Sequence, residues 1–229
     1  MKKKIITIAL LGAILSVIIY FFTQNSEITI VSIGDGISSG MTSYGIEGYS
    51  FNDYLKEDYS TKHELKEYIE YAIPNKTVKE LIYEIKENKS IVKKEEQIEI
   101  KQAINKADIL TIAIGMDELA NIKITNQIKN EYLHDLEELL SMIKMLNGKK
   151  VIILSLYSWG KNDLLTIEKL NAGIRDIALS NGFLFVDINK ILMNKDYYLS
   201  TDSYYINYLG HKSIYEELKK GLNYIRSSR

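Results

Sequence analysis

Three short segments carry the residue types from which a reaction could be assembled. Asp35-Gly36-Ile37-Ser38-Ser39-Gly40 follows a β-branched run and holds one carboxylate and two hydroxyls. Ile114-Gly115-Met116-Asp117-Glu118-Leu119 follows a second such run and holds two adjacent carboxylates. Asp202-Ser203-Tyr204-Tyr205-Ile206-Asn207-Tyr208-Leu209-Gly210-His211 joins a carboxylate, three phenols and a histidine. Two chemistries are open. Ser38 or Ser39, with His211 as base, would serve acyl transfer. Alternatively, Asp35, Asp117, Glu118 and Asp202 would converge on an acidic pocket for a cation, an amino sugar or a basic peptide group, or offer oxygen ligands to a hard metal. Each also has a structural reading: Ser38 as a helix N-cap, His211 as a packing residue, the carboxylates as partners of loop N–H groups. The glycines match neither the GxGxxG nor the GxxxxGK[ST] phosphate loop, and no cofactor is expected.

These segments need elements to hold them. Glu27–Gly34, Ile109–Gly115, Val151–Leu156 and Phe183–Ile188 read as buried strands, and Leu65–Ile73 as a weaker one. Apolar residues at three- and four-residue steps predict helices over Asn126–Asn147 and Asp163–Ser180, with further amphipathic helices over Thr77–Glu87 and Gly210–Ile225. The mixed charge run Lys93–Lys101 reads as a solvated helix face. Strands alternating with helices predict parallel β-α-β units covered on both faces. Ligands in such sheets bind at the carboxyl ends of the strands, where all three segments fall. Tyr44, Tyr49, Trp159, Tyr197, Tyr198, Tyr204, Tyr205 and Tyr208 also lie in or near such loops. Their flat amphipathic rings suit sugar faces as well as ordinary packing.

The whole chain has 229 residues, 46% of them hydrophobic, which suits one sizeable core. Its formal charge is −1, and setting aside Lys2, Lys3 and Lys4 leaves −4 for the rest. A nucleic-acid partner is not expected from that balance. The three lysines precede an uncharged run from Ile5 to Phe22, 18 residues long, close to the ~20 that span a bilayer as a helix. No small-x-small cleavage site follows it, so residues 1–26 are expected to be a retained signal anchor and transmembrane helix, with cleavage as the alternative. Positive charge on the inner side would place residues 27–229 outside the cytoplasmic membrane. Without cysteine the domain has no disulfide, and lipoprotein anchoring is excluded. The bias toward Ile, Lys, Asn and Tyr suggests an AT-rich bacterial genome.

In order and spacing, the three segments resemble the blocks of the SGNH/GDSL hydrolase family, and Asn171–Asp187 resembles that family's helix-then-strand approach to the last block. The resemblance implies a flavodoxin-like three-layer α/β sandwich with a five-stranded parallel sheet. Such proteins hydrolyse esters of lipids, acylated sugars or cell-wall glycans. They use the Ser of a GDS motif, the Asp and His of a DxxH motif, and an oxyanion hole that draws on a block-two Gly amide and the Asn of a GxND motif. Here the nucleophile position falls on Gly36 and the block-two position on Asn75. The GxND Asn falls on Asp117, with Glu118 after it; the DxxH Asp is kept as Asp202, and the His becomes Tyr205. Glycine offers no nucleophile, and an unperturbed tyrosine, with pKa about 10, is a poor base at neutral pH. A carboxylate at Asp117 has the wrong sign to stabilise an oxyanion. The resemblance therefore implies a divergent member lacking the catalytic Ser and His, whose ligand-binding set is Asp35, Gly36, Ser38, Asn75, Asp117, Glu118, Asp202 and Tyr205. The expected function is binding of a cell-envelope glycan, lipid or protein by a membrane-tethered, catalytically degenerate domain. The alternative is an active esterase with a rebuilt or carboxylate-based site.

Overall fold

The computed structural model describes residues 27–93, 96–147 and 149–227. The expected membrane anchor, residues 1–26, lies outside them; among the described residues no helix is long and apolar enough to cross a membrane.

The expected strands form one parallel sheet: β1 (Ile28–Gly34), β2 (Leu65–Ala72), β5 (Ile109–Ala113), β6 (Lys150–Leu154) and β7 (Leu184–Val186), in the order β2-β1-β5-β6-β7. Its centre is apolar on both faces; Ile30, Val31, Ile33, Leu110 and Ile112 are fully buried, which is the pattern of a sheet with helices on both sides. The helices are α1 (Gly36–Ser39), α2 (Phe51–Thr61), α3 (Val78–Lys86), α4 (Ile100–Lys106), α5 (Met116–Leu119), α6 (Asn126–Leu146), α7 (Leu164–Ser180) and α8 (Tyr208–Ser227). One group pairs α2 with α8; the other packs α3, α4 and α7 around α6.

Two stretches depart from the sequence reading. Lys93–Lys101 is not a helix face. Ser90–Lys93 (β3) and Glu96–Glu99 (β4) form an antiparallel pair, and α4 starts only at Ile100. The second is α2, which the sequence reading passed over. It opens on a capping box in which Ser50 Oγ accepts from Asp53 N–H and Asp53 Oδ2 accepts from Ser50 N–H. Phe51, Leu55 and Tyr59, four residues apart, form its buried stripe.

From that helix Asn52 enters the core completely. Its amide donates to Ser38 O at 3.0 Å and to Ser38 Oγ at 3.2 Å, and its carbonyl accepts from Thr111 Oγ1 at 2.7 Å. Truncation would take the Asn52 donor from Ser38 O on α1 and leave Thr111 Oγ1 on β5 only its 3.5 Å reach to Val31 O. Asn52→Ala is expected to cost about 3 kcal/mol, read as a lower midpoint in urea with an unchanged m-value.

Candidate functional site

The site sits where β1, β2 and β5 end side by side. Gly34 closes β1 with φ +150, and a Cβ there would fall 1.8 Å from Ala113 O. Only glycine allows β1 to pass so close to β5 as the chain turns. Asp35 follows, fully buried, and caps α1. Its Oδ1 accepts from Ile37 N–H at 3.1 Å, and its Oδ2 accepts from Gly115 N–H at 2.8 Å and Asp117 N–H at 3.2 Å. One side chain thus fixes the loop after β1 against the loop after β5. Burial pushes its carboxyl up to about 8, with the charge of Asp117 adding and the three N–H bonds opposing.

Asp117 is the hub. Its Oδ2 accepts from Gly36 N–H at 2.9 Å and from Asn75 N–H at 2.6 Å, and its Oδ1 accepts from Tyr204 Oη at 2.9 Å. Asn75 is held at φ +62, a left-handed conformation that Asn tolerates and that turns the peptide at the end of β2. Tyr204 and Tyr205 stack at a tilt, ring centroids 4.5 Å apart and hydroxyls 3.3 Å apart. Tyr157 Oη fixes this pair from below by donating to Tyr204 O at 2.7 Å. Burial and the neighbouring carboxylate raise the Tyr204 hydroxyl well above a free phenol, and burial first pushes Tyr205 up to about 12. Both phenols keep their protons at neutral pH, so neither serves as a base.

Gly36 lies beneath this lid. A Cβ on it would meet Tyr205 Cε1 at 2.7 Å, Tyr205 Oη at 2.8 Å and Asp117 Oδ2 at 2.9 Å. The space a nucleophile would need is filled by a ring and a carboxylate.

Asp35, Gly36, Asn75, Asp117 and Tyr205 therefore meet in one place, and three expected partners do not join them. Asp202 is exposed, its backbone N–H donating to Ser200 Oγ. The expected four-carboxylate pocket is not formed, because the turn carrying Asp202 faces water. Glu118 points to α3, where its Oε2 accepts from Val78 N–H at 3.2 Å; burial raises its carboxyl. Ser38 is fully buried with its hydroxyl donating to Ile33 O at 3.3 Å. It is not the N-cap, a role Asp35 takes. Ser39 Oγ donates to Gly36 O at 3.2 Å. His211 stacks on Phe51, buried, with neither ring nitrogen bonded to any described residue. Among the described residues no serine–histidine pair forms. Nor does the site suit a metal: the oxygens of Asp35 and Asp117 face N–H and O–H donors, and among the described residues no three His, Asp or Glu gather as ligands.

The sequence reading missed Tyr204 as the group that holds Asp117. It named Trp159 and Tyr198 among the loop aromatics suited to sugar faces, but not the apolar cleft that they line. That cleft, of about 490 Å³, is bounded by Ser158 and Trp159 after β6 and by Met193, Lys195, Tyr198 and Leu199 after β7. Trp159 and Tyr198 form its aromatic wall, ring centroids 5.1 Å apart.

A model of the GDSL-like lipase/acylhydrolase family matches residues 30–218. No curated protein matches the chain by sequence. Solved structures share the fold. An acetyl-xylooligosaccharide esterase from Geobacillus stearothermophilus is 20% identical with a TM-score of 0.62, covering 86% of this chain and 95% of its own. A family 3 carbohydrate esterase from Clostridium thermocellum is 18% identical, TM-score 0.61, covering 88% and 98%. A lipase/acylhydrolase from Enterococcus faecalis is 18% identical, TM-score 0.62, covering 85% and 95%. With the five-stranded parallel sheet and a family match over most of its length, this chain belongs to the GDSL-like lipase/acylhydrolase family.

Proposed function

We propose that this chain is a catalytically silent member of the family, tethered outside the cytoplasmic membrane by residues 1–26, and that it binds a cell-envelope glycan. The observation that carries the loss of hydrolysis is the closure of Gly36. The residue aligned with the nucleophile has no side chain, and Tyr205 and Asp117 occupy the room one would need. What speaks against the rebuilt-esterase alternative is that the Ser38 and Ser39 hydroxyls donate to the backbone carbonyls of Ile33 and Gly36.

The cleft beside the site supports the binding half of the reading. Trp159 and Tyr198 line it, and Tyr198 spends its hydroxyl on Leu192 O at 2.7 Å. Aromatic faces of this kind suit the apolar side of a sugar ring. Two solved relatives are carbohydrate esterases by name, which agrees with a glycan.

One purified protein tests both halves. Turnover of p-nitrophenyl acetate and of acetylated xylo-oligosaccharide is expected to stay at the buffer rate, with Ser38→Ala and Ser39→Ala indistinguishable from the parent. Turnover abolished by either serine change would overturn the reading. Retention on purified peptidoglycan sacculi is expected, weakened about tenfold by Trp159→Ala, the loss of one stacking face; equal retention of parent and variant removes the cleft from the proposal.

A further inference from the structure

We infer that the two amides at Gly36 and Asn75 form a complete anion receptor whose resident ligand is the chain's own Asp117 carboxylate. A small external carboxylate takes its place when that side chain is cut back. The inference concerns what fills the hole, and it stands whether or not the protein hydrolyses esters.

The geometry is that of a filled receptor. Two backbone N–H groups from different loops converge on one oxygen, Asp117 Oδ2, at 2.9 and 2.6 Å, and the Tyr204 hydroxyl reaches the other at 2.9 Å. Donors aimed at a developing oxyanion lie at about 2.7–3.1 Å. The carboxylate thus stands where a substrate-derived negative oxygen would stand. It brings its charge from within the chain, so no ligand has to surrender translational freedom to supply it.

The donors do not depend on Asp117 for their placement. Ile73 N–H donates to Gly34 O at 3.0 Å and Lys76 N–H to Ile73 O at 3.3 Å, which fixes the turn carrying Asn75. A capping box between Thr77 and Glu80 pins the following helix. On the other side, Asp35 holds Ile37 N–H and Gly115 N–H, and Asp35 N–H donates to Ala113 O at 3.0 Å. Tyr204 is anchored through its own carbonyl by Tyr157. Removing the Asp117 carboxylate therefore leaves three oriented donors around a space the size of one carboxyl group. Formate and acetate match it in charge and size; chloride offers no second oxygen to Tyr204.

The test is chemical rescue. Asp117→Ala is expected to melt several degrees below the parent, and sodium formate or acetate to raise its melting temperature with the logarithm of concentration. Matched sodium chloride should not, and the parent should respond to neither. Rescue by chloride equal to that by formate, or an equal response of the parent, would overturn the inference. If Asp117→Ala fails to fold, Asp117→Asn decides the matter by proton NMR. The Gly36 and Asn75 amide protons are expected downfield in the parent, where a carboxylate accepts, and upfield in the variant, where a neutral carbonyl does. Unchanged shifts of both amides would sink it.

Discussion

Gly36→Ser, Asp117→Asn and Tyr205→His made together are expected to hydrolyse p-nitrophenyl acetate at least about 10³-fold faster than the parent, while Gly36→Ser alone stays at background. The single change supplies a hydroxyl but drives its Cβ to 2.7 Å from Tyr205 Cε1 and 2.9 Å from Asp117 Oδ2. It also leaves a carboxylate in the hole that must receive the tetrahedral oxyanion. Asp117→Asn removes that charge, and its amide can turn from filling the hole with its carbonyl at rest to donating an N–H to the oxyanion. Tyr205→His removes the obstructing phenol and places an imidazole on the segment that covers Gly36. The resulting rate should fall short of a complete triad, because Asp202 is exposed and no carboxylate is set behind the new histidine. A folded triple variant with no turnover would show that these three positions are not the family's catalytic ones.

The second large effect is on acid stability. Burial without a partner pushes the His211 imidazole down to about 3, against 6.5 when free. Below pH 6.5 the unfolded chain binds a proton that the folded chain refuses, so stability falls as the pH drops from about 6.5 toward 3. Between pH 7 and pH 4 the loss is about 3 kcal/mol, one pKa unit being worth about 1.4. His211→Phe, which keeps a ring against Phe51, should abolish this dependence. It should also gain stability at neutral pH, since one imidazole nitrogen must bury an unpaired N–H. Asp35 acts with the opposite sign: its raised carboxyl costs stability as the pH rises from 3.8 toward about 8. The quantity to measure is therefore the difference between parent and variant in urea midpoint at pH 4 and pH 7. A constant difference would mean that the folded and unfolded imidazoles titrate alike, as a solvated His211 would, and a difference of the opposite sign would mean that it is protonated in the folded state.

The framework could be read from the sequence because its signals are local. Buried parallel strands announce themselves as short β-branched runs such as Ile109–Ala113, and α6 and α7 through their three- and four-residue spacing. The β3–β4 pair was hidden because a mixed charge run is as compatible with exposed strands as with a helix surface, and only the pairing of Ser90–Lys93 with Glu96–Glu99 decides. Helix α2 had a legible start in Ser50–Asp53, and its apolar stripe is only three residues deep. At the site, the family blocks led to Gly36, Asn75, Asp117 and Tyr205, which the structure brings together. The use made of Asp117 was not visible in them, since it depends on two amides 42 and 81 residues away in sequence. The exposure of Asp202 was equally out of reach, because spacing gives a residue's position along a loop and not the side of the loop that water reaches.

The direction of β1 sets a distance. The strand enters the fold at Ile28 and delivers the chain to the site at Gly34, six steps of ~3.3 Å, or about 20 Å away. Residues that precede Ile28 therefore join the sheet at the end opposite the site. Under the proposed tether the sheet itself would serve as a standoff, with the Asp117 hub and the Trp159 cleft on the end away from the membrane.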